Sequence, residues 1–476
     1  MKTVLNITSK SKDITQWYTD VCLKAELMDY ATTKGFIVYR PDGYSLWEEI
    51  QNYLNKRFKE LGVRNVYLPT LIPMSLLNKE KEHVKGFAPE CAIVTKGGNK
   101  VLQEEMVIRP TSETLFCDHF KDILHSYNEL PILYNQWCSV VRWEKTTRPF
   151  LRGSEFLWQE GHTLHLDENE ARAFALSILR IYEDLGRELL AIPFVSGQKT
   201  ESEKFAGAVS TYTIEALMPD GQALQCGTTH YLGTGFPEAY GIKYTSKDNT
   251  ICYPHYTSWG VSTRLLGALI MLHGDDNGLV LPPKIAPIQV VIIPVRSETN
   301  SEILKTCKKV ADELSKKDIR VKIDDSNKSP GWKFSQYEMK GIPLRIEIGP
   351  KDLEKNSCMI TKRYSEEKTF LPLDNIDDSI SKTLNDIQEG MYQKANDFLL
   401  NHIYECHNKE EVDNILKSHK GFAKVVSNET IEEEKYMKEK YSATPRVIPF
   451  NQRLFQENDS LDDKKGEKVI YYARAY

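Results

Sequence analysis

The chain has no Cys-x-x-Cys pair. Its nine cysteines stand singly, at positions 22, 91, 117, 138, 226, 252, 307, 358 and 406. Single thiols argue against both a disulfide framework and a thiolate zinc site, and they predict a reducing, cytoplasmic setting. No apolar run approaches the ~20 residues that a membrane span needs. The opening stretch, MKTVLNITSKSKD, lacks the apolar segment of a secretory signal. No phosphate loop of the Gly-x4-Gly-Lys type occurs. A strong charge bias is also missing. The net charge is −5, so no global basic field advertises nucleic acid, although a local basic patch is left open. Internal repeats and long low-complexity tracts are absent as well.

What is present suffices for several cores. With 476 residues, 41% hydrophobic and 27% charged, the length suggests roughly two to four domains. Residues 40–62, RPDGYSLWEEIQNYLNKRFKELG, read as a turn and an amphipathic helix, with Trp47, Ile50, Tyr53, Leu54 and Phe58 at helical spacing and Gly62 as the stop. VRNVYLPTLIP reads as a strand broken by prolines. TSETLFCDHFKDIL (111–124) opens with a cap and continues as a helix. ILYNQWCSVVRWE (132–144) and EFLWQEGHTLHL (155–166) read as the two arms of a hairpin. ENEARAFALSILRIYEDLGREL is a long helix. ALQCGTTHYLG follows, and then YTSWGVSTRLLGALIMLHG, a strand running into an apolar helix. PPKIAP (282–287) marks a boundary. Beyond it, alternating strands and helices predict a small α/β domain of about a hundred residues. After about residue 385 the chain reads as helical and highly charged, ending in VIYYARAY.

One stretch concentrates chemistry. RWEKTTRPFLRGSEFLWQEGHT (142–163) carries Arg142, Arg148 and Arg152, three carboxylates, two tryptophans, two phenylalanines and His162. Arg142 and Glu144 lie two apart, which places them on one face of a strand. Taken alone, that pair is as well explained by a surface salt bridge. Phe156, Trp158, Glu160 and His162 share one parity. Burying a carboxylate without partners costs several kcal/mol. Such a face is better explained as the floor of a polar pocket with a flat aromatic platform.

This constellation resembles motif 2 of the class II aminoacyl-tRNA synthetases. FKELGVRNVYLPTLIP looks like motif 1, and YTSWGVSTRLLGALIMLHGD looks like motif 3 with its arginine, Arg264. Class I signatures are missing. RPTSET, VVRWE, FLRGSEFLWQEGHT, KTESEKFAGA, CGTTHYLG and GDDNGLVLPPKIAP together resemble the prolyl-tRNA synthetase family, in its archaeal and eukaryote-like branch. The resemblance runs from about residue 14 to the last residue. It implies an α+β fold: a class II catalytic domain on an antiparallel sheet (1–284), an α/β anticodon-binding domain (285–384) and a small α+β C-terminal domain (385–476). It implies that proline is activated with ATP and magnesium and transferred to tRNA(Pro) by a homodimer built on motif 1.

The resemblance also assigns residues. Arg142 and Arg264 are the catalytic arginines: Arg142 on the α-phosphate and the proline carboxylate, Arg264 on the adenine face or the γ-phosphate. Glu144 accepts from the adenine amino group, and Phe156 stacks on the ring. Arg152, Gly153, Gln225 and Thr228 complete the ATP set. Thr111 and Glu113 meet the proline nitrogen. Trp158, Glu160, His162 and Phe205 form the ring pocket, with His230 and Ser262 closing it. His273 is read as structural. In the second domain Glu338, Arg345 and Lys351 are candidates for reading the guanines of a proline anticodon, although Arg345 fits a solvated strand face equally well. Many relatives bind zinc on four cysteines near the C-terminus. Here that region keeps FAK, RVIPF, YYARAY and the terminal Tyr476 but offers only Cys406, so no structural zinc is expected. About a hundred residues separate motifs 2 and 3, too few for the editing insertion of bacterial-type relatives. The competing readings are a non-catalytic tRNA-binding protein, a threonine ligase, which would need a Cys/His/His zinc set, and a proline-activating enzyme without tRNA.

Overall fold

The computed structural model describes residues 7–79, 91–298, 300–453 and 468–476. Residues 1–6 of the N-terminal stretch, and residues 459–467 in the place of a second cysteine pair, lie outside the described residues. Helices α1 (Ile14–Lys24) and α2 (Pro41–Glu60) come first. Pro41 opens α2, where its fixed φ suits a helix start. Leu46, Trp47, Ile50, Leu54 and Phe58 are buried along one face. Gly62, with φ +82°, ends the run. The proline-broken segment forms two short strands, β1 (Arg64–Asn65) and β2 (Leu71–Pro73). β2 joins β3 (Ala92–Gly97) and β4 (Lys100–Ile108) in a three-stranded sheet.

Helix α3 (Glu113–Ile123) follows, then β5 (Ile132–Val141) and β6 (Glu155–His165). Next come α4 (Glu168–Asp184), β7 (Val195–Gln198), β8 (Ser210–Leu217), β9 (Ala223–Gly233), β10 (His255–Ser262) and α5 (Arg264–His273). Two local expectations change. β5 stops at Val141, so Arg142 and Glu144 lie beyond the strand. The Arg142 carbonyl accepts from the Glu144 N–H at 2.7 Å, which turns the chain. Ser112 stands at the N-cap of α3 but its side chain caps nothing there, because the hydroxyl is committed to Glu160.

The next unit is a five-stranded sheet with helices, as the alternation predicts. It contains β11 (Val290–Pro294), α6 (Ser301–Ser315), β12 (Val321–Ile323), α7 (Pro330–Met339), β13 (Leu344–Ile348), β14 (Ser357–Lys362) and β15 (Lys368–Pro372). α8 (Ile376–Leu400) packs its apolar face onto this sheet. The last part is less helical than its charge suggests. It holds α9 (Ile431–Tyr441) and the strands β16 (Ile403–Glu405), β17 (Phe422–Ser427), β18 (Ala443–Pro449) and β19 (Lys468–Arg474).

Those C-terminal strands do not form a sheet of their own. Among the described residues the largest sheet has eleven strands, in the order β16-β17-β19-β18-β7-β8-β9-β10-β6-β5-β1. The junction is β18 against β7, with Ile448 opposite Gln198 and Pro449 opposite Gly197. A Cβ at Gly197 would lie 2.1 Å from the Ile448 carbonyl, so only glycine admits the neighbouring backbone. Behind the central strands, Ile214, Trp259 and Val261 bury into one core with Ile178, Leu179 and Tyr182 of α4. A Cβ at Gly161 would lie 2.1 Å from the Trp259 ring, so glycine lets that indole lie across β6. The opposite face of the same strands stays open. No helix among the described residues is long and apolar enough to cross a membrane.

Candidate active site

The open face is built in rows. Antiparallel pairing sets Tyr134, His162, Ser258 and His230 across four strands, β5, β6, β10 and β9. The next row is Gln136, Glu160, Gly260 and Thr228, and the one after it begins Cys138, Trp158 and Ser262. Alternation then puts Phe156, Trp158, Glu160 and His162 on one side, as their parity predicts. Arg264 opens α5 immediately beyond Ser262 and Thr263, so a helix N-terminus faces the outer row.

Together these residues enclose a cavity of about 290 Å³. Its wall contains Thr111, Glu113, Arg142, Phe156, Trp158, Glu160, His162, Phe205, Gln225, Thr228, His230, Ser262 and Arg264. Residues predicted from separate parts of the chain therefore converge on one space. Three do not line it. Glu144 instead pairs with Arg152 at 3.1 Å. Arg152 and Gly153 border a neighbouring cleft under Phe150 and Phe156. The cause is the loop itself, which closes through two backbone bonds between Arg148 and Arg152. His273 donates from Nε2 to the Leu190 carbonyl at 3.0 Å, outside this cavity.

Glu160 is the most constrained group. It is 3% exposed. Its Oε1 accepts from Ser112 Oγ at 2.5 Å, Gln136 Nε2 at 2.8 Å and Cys138 Sγ at 3.4 Å. Its Oε2 lies 3.0 Å from His162 Nε2. Burial alone would raise its pKa; the bonds from His162, Ser112 and Gln136 outweigh that and hold it below the ordinary value. His162 is fixed on its other side by the Tyr256 hydroxyl at 2.6 Å, and it stacks on Phe116. The Trp158 N–H donates to Cys138 Sγ at 3.2 Å, which locks the indole plane. Cys138 stays a thiol, because burial and Glu160 push its pKa up.

Arg142 donates from Nε to the Pro110 carbonyl at 3.1 Å, with its guanidinium 5.4 Å from the Phe156 ring and 5.5 Å from Trp158. Arg264 donates to the carbonyls of Leu151 and Gln225, each at 3.2 Å. Thr111 donates to Glu113. His230 is bracketed by Thr211 Oγ1 at 2.9 Å and Thr228 Oγ1 at 3.0 Å. Sequence reasoning passed over Ser112, Gln136, Cys138, Thr211 and Tyr256. Ser112 sits inside the quoted TSE stretch. The others announce themselves only once the strand register is known.

A second cavity, of about 370 Å³, lies on the five-stranded sheet. Glu338, Arg345, Phe334, Lys362 and Lys368 line it. Arg345 pairs with Glu347 at 3.0 Å and lies 4.1 Å from the Phe334 ring. Lys351 follows β13 in a short helix and is not part of this wall.

The geometry agrees with comparison. Residues 98–273 match the family model described as tRNA synthetase class II core domain (G, H, P, S and T). Residues 289–383 match the one described as anticodon binding domain. The fold and the cavity thus define a class II aminoacyl-tRNA synthetase. The chain is 53% identical over 478 residues to the proline--tRNA ligase of Agathobacter rectalis, covering 100% of this chain and 99% of that one. It is 53% identical over 475 residues to that of Ruminiclostridium cellulolyticum, with the same coverage. It is 51% identical over 473 residues to proline--tRNA ligase 2 of Bacillus cereus, covering 99% and 98%. The chain belongs to the proline--tRNA ligase family.

Burial, with the nearby His162, lowers the His230 pKa from 6.5 to about 3. The folded protein therefore keeps this ring neutral, while the unfolded chain binds a proton below about pH 6.5. Stability from this group is complete above that pH and is lost as pH falls toward 3. Urea unfolding at pH 6.5 and at pH 5 should differ by about 1–2 kcal/mol from this source, and His230→Asn should remove that part of the slope.

Proposed function

We infer that the protein works as a proline–tRNA ligase. The proline carboxylate attacks the α-phosphorus of ATP, pyrophosphate leaves, and the prolyl group passes to the 3′-terminal adenosine of tRNA(Pro). The observation that carries this reading is one sheet face on which a Trp158–Glu160–His162 pocket ends at Arg142 and Arg264. Positioning and charge neutralisation do most of the work in such a transfer. Arg142 suits the junction between proline carboxylate and α-phosphate, since a planar fork matches two oxygens at once. Phe156 supplies a flat face for adenine, and Arg264 a second cation. Gln225 and Thr228 line the same end. Glu160 is already filled by protein donors, so Thr111 and Glu113 are the acceptors for the proline N–H groups. Trp158, Phe205 and His230 give the ring its walls, and neutral His230 adds no charge against the ammonium.

Magnesium would enter with ATP and would neutralise charge on the phosphate oxygens. Among the described residues no group of three or more acidic, histidine or cysteine side chains could hold a metal. We keep residues 1–284, 285–384 and 385–476 as the functional divisions, the last without zinc. The short span between motifs 2 and 3 leaves no room for an editing domain in cis, as in the archaeal and eukaryote-like branch. A pocket of this kind rejects a smaller side chain by only ~1–3 kcal/mol, so alanine and cysteine are the competitors to watch. We place the enzyme in the cytoplasm.

ATP–pyrophosphate exchange should be strongest with proline among proline, alanine, cysteine and threonine. It should fall about 10²–10³-fold in Arg142→Ala. No exchange from a folded protein would leave only the tRNA-binding alternative. Arg345→Ala should reduce charging of tRNA(Pro) about tenfold or more while tRNA-independent exchange persists; equal loss of both would remove Arg345 from anticodon reading. Tyr67, Leu71, Ile93 and Val101 expose apolar surface on and beside the β2–β4 sheet. A homodimer would cover such a patch, so sedimentation should give twice the 54.7 kDa chain mass.

A further inference from the structure

The C-terminal unit has no assigned task once zinc is set aside, yet it reaches the elements that frame the cavity at two places. The first is a buried charge cluster. Glu215 on β8 is fully buried. Its Oε1 accepts from Lys199 Nζ at 2.7 Å and Thr213 Oγ1 at 3.0 Å. Its Oε2 accepts from Arg446 on β18, from Nε at 3.2 Å and from a terminal nitrogen at 2.9 Å. Lys199 Nζ also donates to the Arg446 carbonyl at 2.8 Å. Lys199 and Arg446 are 3% and 6% exposed. An apolar trio of similar volume would serve stability as well or better. The ionic version fixes position instead.

The second place is the loop that starts at Lys199. The Glu201 N–H donates to Glu429 Oε1 at 3.1 Å, and the Ser202 hydroxyl donates to the Glu434 carboxylate on α9. One residue further on, Glu203 lines the cavity, and so does Phe205. The Phe205 N–H donates to Thr211 Oγ1 at 3.0 Å, and that hydroxyl lies 2.9 Å from His230 Nδ1. The Phe205 and His230 rings sit 4.6 Å apart. A continuous set of contacts thus runs from α9 and β18 to the wall over the proline pocket.

We propose that the C-terminal unit is a clamp on loop 199–205, with Arg446 and Glu434 as positioning residues that hold Phe205 and Glu203 over the bound amino acid. The proposal rests on reading this cavity as the proline site. The Ser202–Glu434 arm acts on the loop alone. The buried cluster reaches further, because Glu215 lies opposite Gln225, whose carbonyl accepts from Arg264. Loosening the Ser202–Glu434 arm therefore weakens proline binding and leaves the nucleotide end set.

The test is steady-state ATP–pyrophosphate exchange by the full chain, titrating proline and ATP separately. Ser202→Ala removes the hydroxyl's contacts with Glu434 and Thr200, Glu434→Ala removes the carboxylate's contacts with Ser202 and Thr200, and alanine keeps α9 helical. Each should raise the KM for proline about five- to tenfold, with kcat and the KM for ATP within about twofold. Ser202→Thr keeps the hydroxyl and should restore the wild-type KM. Arg446→Met should raise the proline KM further, move the KM for ATP as well through Glu215 and Gln225, and lower the melting temperature. An unchanged proline KM in Ser202→Ala and Glu434→Ala, or proline and ATP constants rising together in those two variants, would overturn the clamp. Wild-type protein with no proline-dependent exchange would overturn the site reading itself, and the clamp with it.

Discussion

The register between β5 and β6 governs everything placed on the open face. A slip of one residue would send Glu155, Leu157, Gln159 and Gly161 into the cavity and bury Phe156, Trp158, Glu160 and His162 behind it. Glu160 pins that register. Its carboxylate needs donors, and Gln136 directly opposite and Ser112 before α3 supply them only in this alignment. Gly161 adds a steric lock from the other side, since only there can the Trp259 ring cross the strand. A buried carboxylate missing one donor keeps most of its desolvation cost, so the correct pairing is strongly favoured over its neighbours.

The same carboxylate explains how the pocket is both polar and rigid. Protein groups already fill both of its oxygens, so it orients His162 and, through Cys138, Trp158. His162 in turn leans on Tyr256 and Phe116. The walls at this end of the cavity are therefore held by protein contacts alone. The cations lie at the other end. Arg142 donates to the Pro110 carbonyl, and Arg264 to those of Leu151 and Gln225.

Much of this was legible in the chain. Helical spacing gave α2 and α4, apolar β-branched runs gave β5 and β11, and strand parity put the four pocket residues on one side. The alternating unit after residue 287 appeared as expected. The motif loop was less readable. Its charges suggested contacts with ligand, whereas the folded loop pairs Arg152 with Glu144 and turns both from the cavity wall. The C-terminal strands were masked by charged residues, because their apolar positions become coherent only when β18 finds β7.

The sequence by itself determined which residues could do the chemistry, since side-chain type, alternation and helical period are local properties carried along the chain. It also determined the family, through segments that keep their order over the whole length. Tertiary structure alone decided which of those residues meet. Register between strands, the bonds that fill Glu160, the turn after Val141 and the joining of the C-terminal strands to the catalytic sheet all depend on partners far away in sequence. Such pairings follow from packing and from satisfying buried polar groups, and no local pattern encodes them.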